Sequence, residues 1–283
     1  MLCNCRIEPF SLASLRKSVP ARIVASVYDF TQLNDFTGLG DRWAIGGLLT
    51  LLFAGLARSV RGVTSAGAVA GAISCFVLYI GGGPGAFAAL VTVFALAWIT
   101  TRLGYQRKQS LGIAERREGR KASQVLANLG VATICATVYI LGARNFAWLL
   151  AMAAALSEAA ADTVSSEIGQ AFGREARLIT SWKSVPAGTN GAVSLTGTLA
   201  GFAAAGIVSS VCVLGGLLPR NWLAVSVGAA ILGMVADSFL GAWLERRGLL
   251  NNDSVNFLST LVAAVASSWL TSLLRGLPSY QDS

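Results

Sequence analysis

Trp222-Leu-Ala-Val-Ser-Val-Gly-Ala-Ala-Ile-Leu-Gly-Met-Val-Ala-Asp-Ser-Phe-Leu-Gly-Ala-Trp-Leu244 is an apolar run with a single charge in it, Asp237. A bilayer core of about 30 Å takes roughly 20 helical residues, so this run is long enough to cross. Working outward from 222–244, comparable runs broken by glycine or charge lie at 43–57, 64–80, 84–101, 124–141, 145–161, 190–214 and 254–274. The expected fold is all-α: a polytopic transmembrane helical bundle of about eight passes over residues 41–276. Residues 1–40 form an N-terminal extension and 277–283 a short tail. Composition agrees, with 54% hydrophobic residues, 13% charged and a mean hydropathy of +0.62, which is a membrane protein's balance.

Lys and Arg are retained on the cytoplasmic side of short loops. The first, third, fifth and seventh loops carry Arg58, Arg61, Arg102, Arg107, Lys108, Arg116, Arg117, Arg120, Lys121, Arg174, Arg177, Lys183, Arg246 and Arg247, fourteen of the 22 basic residues; the even loops carry Arg144 and Arg220. The odd loops are therefore expected in the cytoplasm, or in the equivalent stroma of a plastid. The leader works against this, because Arg6, Arg16, Lys17, Arg22 and Arg42 would then lie outside. Residues 1 to about 28 are Ser- and Arg-rich with one acid, Glu8, the composition of a transit peptide; an upstream start or a disordered tail accounts for them equally. A bacterial plasma membrane is favoured, with a plastid membrane as the other reading. The bilayer is the expected partner, and nucleic acid is not.

Two features limit the chemistry. Histidine is absent, and the five cysteines, Cys3, Cys5, Cys75, Cys135 and Cys212, make no disulfide framework. Acid–base or metal chemistry then falls to carboxylates, supported by Asn, Ser, Thr and Lys. A parallel 4+4 internal repeat is suggested by Val63-Thr-Ser-Ala-Gly-Ala-Val-Ala-Gly71 against Val193-Ser-Leu-Thr-Gly-Thr-Leu-Ala-Gly201, and by Phe94-x-x-Ala-Trp98 against Phe239-x-x-Ala-Trp243.

The polar residues gather at one depth. Glu158, Asp162, Ser165, Ser166 and Glu167 are expected to end the fifth pass, and Pro186-Ala-Gly-Thr-Asn-Gly191 to start the sixth. Asp237 and Ser238 lie near the inner end of the seventh; Asn252 and Asn256 open the eighth, as Gln124 and Asn128 open the fourth. Glu158, Asp162 and Ser166, at i, i+4 and i+8, share a helix face. Acids one turn apart repel unless a cation joins them, and oxygen ligands without His or Cys suit Mg²⁺; Arg or Lys from neighbouring loops is the structural alternative. The Gly188-Thr189-Asn190-Gly191 turn beside a helix start has backbone N–H groups able to hold phosphate, although any connection can carry two glycines. No Walker A spacing is present.

Gln124-Val-Leu-Ala-Asn128, Ala161-Asp-Thr-x-Ser-Ser-Glu-Ile-Gly169, Val185-Pro-x-Gly-Thr-Asn-Gly191, Asp237-Ser-x-x-Gly241 and Asn252-Asp-x-Val-Asn256 resemble, in order, the motifs of the integral-membrane family that contains transmembrane protein 19 and plant phytyl-phosphate kinase. The resemblance covers about 43–274; the sequence departs from the pattern in its leader, at Leu129 and at Glu158. It implies phosphoryl transfer from a nucleoside triphosphate, CTP in the similar polyprenol and phytol kinases, to an isoprenoid (phytyl or prenyl) monophosphate at the cytoplasmic interface. On that resemblance Asp162, Glu167 and Asp237 are the expected Mg²⁺ ligands, Asn190 and Asn252 orient phosphate oxygens, and Lys183 offsets charge on the transferred group. Gly188, Thr189, Gly191, Asn128, Gln124, Ser238 and Asn256 complete the expected substrate and nucleotide site. Two alternatives remain at this point: a lipid or small-anion transporter, and a CTP-dependent lipid cytidylyltransferase.

Overall fold

The structure, a computed structural model, describes residues 39–115, 118–142, 144–173 and 175–275. The targeting or disorder reading of the leader therefore falls outside the described residues except at its last two positions, as does the tail.

Eight helices carry the described chain: α1 (Leu39–Ser59), α2 (Ser65–Arg102), the short α3 (Tyr105–Ser110), α4 (Ala122–Ile140), α5 (Phe146–Phe172), α6 (Leu195–Leu214), α7 (Leu223–Leu240) and α8 (Asn252–Arg275). Strands β1 (Ala176–Leu178), β2 (Ser184–Val185) and β3 (Ala192–Val193) form a small antiparallel sheet, ordered β2-β1-β3, between α5 and α6. A 3₁₀ turn leads into α7 and a π turn over Gly241–Glu245 leads out of it. Six segments are long and apolar enough to cross a membrane: α2, α4, α5, α6, α7 with its flanking turns, and α8. A helical membrane bundle is the fold.

The 38-residue α2 is a folded-back hairpin. Gly83, at φ 65 and ψ −159, breaks it just before Pro84, a backbone state open to glycine. Both ends of α2 return to the same place: Arg58 Nε reaches Ser65 Oγ at 3.2 Å, while Trp98 Nε1 and Arg102 donate to the Val60 carbonyl at 3.2 and 2.8 Å. The arms 65–82 and 84–102 thus stand where two separate passes were expected. α1 rests on this hairpin through Trp43–Phe76 and Phe53–Phe94 ring contacts at 5.6 and 5.3 Å.

The core is built of small side chains. Along α5, residues 150–161 are all buried, among them Ala153, Ala154, Ala155, Ala159, Ala160 and Ala161; small residues let helix backbones approach closely where no hydrophobic effect drives association. Large apolar side chains face outward instead: Leu48, Leu51 and Leu52 on α1, Leu199 and Ile207 on α6, Val265 and Trp269 on α8. That inversion suits lipid rather than water as the surrounding medium. Three buried hydroxyls, Ser157, Ser209 and Ser226, join α5, α6 and α7 by successive 2.9 Å hydrogen bonds, so no member is left unpaired in the bundle. α1 is widely exposed along its length, whereas α5 is the most enclosed of the membrane-length helices.

The odd loops come together on one face. Thr64 N–H donates to the Arg120 carbonyl at 2.9 Å and Arg120 N–H to Gly62 at 3.0 Å; Arg107 donates to Ala171 and Gly173 carbonyls at 3.2 and 2.9 Å. At the other end the Gly83 turn meets Gly215 and Leu217.

Two boundaries differ from expectation. α5 runs on to Phe172, so Glu158, Asp162 and Glu167 lie within a helix rather than at its exit, because Ala, Ser and Glu continue a helix without strain. α6 starts later than residue 190, at Leu195, capped by Ser194 Oγ accepting from Gly197 N–H at 3.1 Å; the preceding residues are taken up by the Gly188–Gly191 turn and β3.

Candidate functional site

On the face where the odd loops meet, a polar cavity of about 290 Å³ opens among α4, α5, α7 and α8. α5 supplies Asp162, Ser165, Ser166 and Glu167; α7 and its π turn supply Asp237, Ser238 and Glu245; α8 supplies Asn252 and Asn256; α4 supplies Gln124 and Asn128. Gly188, Thr189, Asn190 and Gly191 close one side, and Glu115 and Arg120 another. Lys183 is exposed in the β1–β2 connection and is not among the residues that line the cavity.

The acids meet where α5 crosses α7. Asp162 and Asp237 are electrostatic neighbours across this crossing, Glu158 lies one turn deeper on α5, and Glu245 of the π turn is near enough to act on both aspartates. Room for Glu158 comes from Gly233: a Cβ there would stand 2.6 Å from Glu158 Cγ. Ser259 of α8 sits beside Glu158 and Asp237, but its hydroxyl donates to the Asn256 carbonyl at 3.0 Å. As a result Glu158 Oε1 and Oε2 and Asp237 Oδ2 are buried with no hydrogen-bond partner. Isolated carboxylates in that position cost several kcal/mol, and a cation is the natural counterpart. Arg120 supplies positive charge toward Asp162.

Glu167 is differently placed. Its Oε2 pairs with Lys108 Nζ and its Oε1 accepts from Thr101 Oγ1 at 3.1 Å. Lys108, 1% exposed, also donates to the Thr100 and Thr101 carbonyls at 3.0 and 2.7 Å, which spends all three of its N–H groups. The pair ties the third loop to α5, and Glu167 borders the cavity as part of its frame. Gln124 is also engaged: its Oε1 accepts the Lys121 N–H at 2.8 Å, and its Nε2 donates to Glu115 at 3.2 Å, so it caps α4.

The Gly188–Gly191 turn is held from inside. Thr189 Oγ1 donates to the Pro186 carbonyl at 2.7 Å and Ala192 N–H to Thr189 at 2.9 Å, leaving the N–H groups of Gly188 and Asn190 without a backbone acceptor among the described residues. Gly191, at φ 74, packs on the π turn so closely that a Cβ would stand 2.4 Å from Ala242 N. A π turn at such a site is a frequent mark of function.

Comparison with known proteins places this geometry in a family. A family model described as integral membrane protein DUF92 matches residues 48–264. The chain belongs to the DUF92 family. It is 31% identical over 233 residues to protein VTE6, chloroplastic, of Arabidopsis thaliana, covering 79% of this chain and 70% of that protein. It is 36% identical over 183 residues to the uncharacterized membrane protein sll0875 of Synechocystis (63% and 70% covered), and 32% identical over 221 residues to the uncharacterized membrane protein MJ0933 of Methanocaldococcus jannaschii (77% and 90% covered). No solved structure matches. The cavity walls of this DUF92 protein all fall within the matched region.

Sequence reasoning missed Glu245 and Lys108 and undervalued Glu158. For Glu245 the signal was available: Asp237, Gly241 and Glu245 recur every four residues, one helix face. Lys108 had none, because it lies 59 positions from Glu167 in a loop.

Proposed function

We propose that this DUF92 protein crosses the membrane eight times, counting α1 and both arms of α2, and is an isoprenoid phosphate kinase. It would move the γ-phosphoryl group of a nucleoside triphosphate, CTP on the family resemblance, to a prenyl or phytyl monophosphate. The observation that supports this best is the unpartnered carboxylate oxygen of Asp237 on a polar cavity that has Asp162, Arg120 and a glycine turn in its walls, with the unpartnered Glu158 buried behind it. Collection of the basic odd loops on that face supports a cytoplasmic, or stromal, orientation for the site.

Among the described residues no group of three or more His, Cys, Asp or Glu side chains is placed to hold a metal ion. Mg²⁺ needs none: it keeps waters and takes one or two carboxylates together with substrate phosphates. Asp162 and Asp237, with Glu158 behind them, fit that ion, which would neutralise triphosphate charge when bound. Glu167 takes no part in holding the ion in this proposal, because it is already paired with Lys108 and Thr101. Asn190, Asn252 and the N–H groups of the glycine turn would hold phosphate oxygens in line, and Arg120 would pair with the acceptor phosphate. An acceptor oxygen, already ionised, forms the new P–O bond to the γ-phosphorus while the bond to the β-bridging oxygen breaks and its electron pair leaves with the nucleoside diphosphate. No general base is required, which suits a chain without histidine.

Purified protein in detergent, given Mg²⁺, a prenyl monophosphate and CTP or ATP labelled at the α- or γ-phosphate, tests the reading. A kinase carries γ-label into the lipid. Transfer of α-label would make it a cytidylyltransferase, and no labelled lipid with any nucleotide or acceptor, alongside solute movement in liposomes, would make it a transporter.

A further inference from the structure

A second cavity, of about 350 Å³, lies against the first. Its walls come from α1, both arms of the α2 hairpin and α4, and they are mostly apolar: Phe53, Ala57, Gly71, Leu90, Phe94 and Leu129 are typical. Glu115, Arg120, Gln124 and Asn128 line both cavities. The change from apolar to polar therefore happens within one turn at the start of α4, where Gln124 and Asn128 face both chambers and Val125 and Leu129 only the apolar one.

We propose that this apolar chamber seats the hydrocarbon tail of the acceptor against the touching rings of Phe53 and Phe94, with its phosphate crossing at Arg120 into the polar cavity. The proposal rests on the lipid-phosphate reading above and adds that the protein itself, not the bulk bilayer, recognises the tail. Three observations carry it. The volume is that of a ligand pocket. A polar site acting on a soluble substrate has no use for an apolar chamber opening onto it. The space is also made by small residues: a Cβ on Gly71 would meet only Val125 Cγ1, at 3.9 Å, so the volume a larger side chain would fill is open.

Two measurements on the full chain in detergent or nanodiscs test this. A prenyl monophosphate with a diazirine at the tail end, irradiated with the protein, should label α1, α2 and α4 at chamber positions such as Phe53 and Phe94, and an excess of unlabelled prenyl monophosphate should suppress the labelling. Labelling confined to outward residues such as Leu199, Ile207 and Val265, or unaffected by competitor, would overturn the proposal. Gly71→Leu and the milder Ala54→Leu should each lower the ratio of long- to short-tailed prenyl monophosphate binding by about tenfold or more, because even one methylene in an apolar pocket is worth roughly 10-fold. An unchanged ratio in both, with short-tail binding retained, would sink it. Both readouts are binding, so an inactive wild type would remove the kinase reading while leaving this test intact.

Discussion

Lys108→Met separates the frame of the site from its chemistry. Methionine keeps most of the lysine stem but removes the donor to Glu167 Oε2 and to the Thr100 and Thr101 carbonyls. Breaking a buried pair by deleting one partner costs about 3–5 kcal/mol, because the surviving charge is left uncompensated. Glu167 is 14% exposed toward the cavity, so it can take up water or a proton, which sets the cost nearer the lower figure. At roughly 2–4 °C per kcal/mol, the melting temperature in detergent, followed by tryptophan fluorescence, should fall by on the order of 6–20 °C. Adding Glu167→Gln should recover much of this loss, since the double variant buries no lone charge. If Lys108→Met melts within about 2 °C of wild type, or the two substitutions are additive, the pair is not the tie that it is taken to be. If Glu167→Gln instead abolishes Mg²⁺ dependence without lowering the melting temperature, Glu167 is a ligand after all.

Asp162→Asn and Asp237→Asn should each lower turnover by at least about 10²-fold, the scale of losing one preorganised charge-stabilising group, while the melting temperature holds or rises because a repelling or unpartnered carboxylate is gone; full activity in both would make these acids structural. Gly191→Ala places a Cβ against the Ala242 backbone at a positive φ, a conformational cost of about 1–2 kcal/mol before the clash is counted, so KM for the nucleotide should rise by about tenfold or more. Lys183→Ala should leave kcat/KM within about twofold, as exposed substitutions do, and a larger loss would restore the role its charge suggested.

The helices were legible because lipid demands long apolar runs, and the fold of α2 was legible in Gly81-Gly-Gly-Pro-Gly85, which no continuous helix tolerates at Gly83. The end of α5 was not legible, since polar residues that look like an exit can equally line an internal cavity while the helix continues. The choice between Glu158 and Glu167 shows how far spacing alone can go. Successive helix residues turn by about 100°, so Glu158 and Asp162, four apart, lie within about 40° of each other, whereas Asp162 and Glu167, five apart, diverge by about 140°. The spacing alone thus set Glu158 with Asp162 and turned Glu167 away, and motif resemblance argued the opposite. The structure follows the spacing: the near pair converges on Asp237, while Glu167 swings round to Lys108. What spacing left out was the reason that both arrangements survive in one helix. That reason is a lysine in a distant loop and a glycine on a neighbouring helix, Lys108 pairing one acid and Gly233 making room for the other.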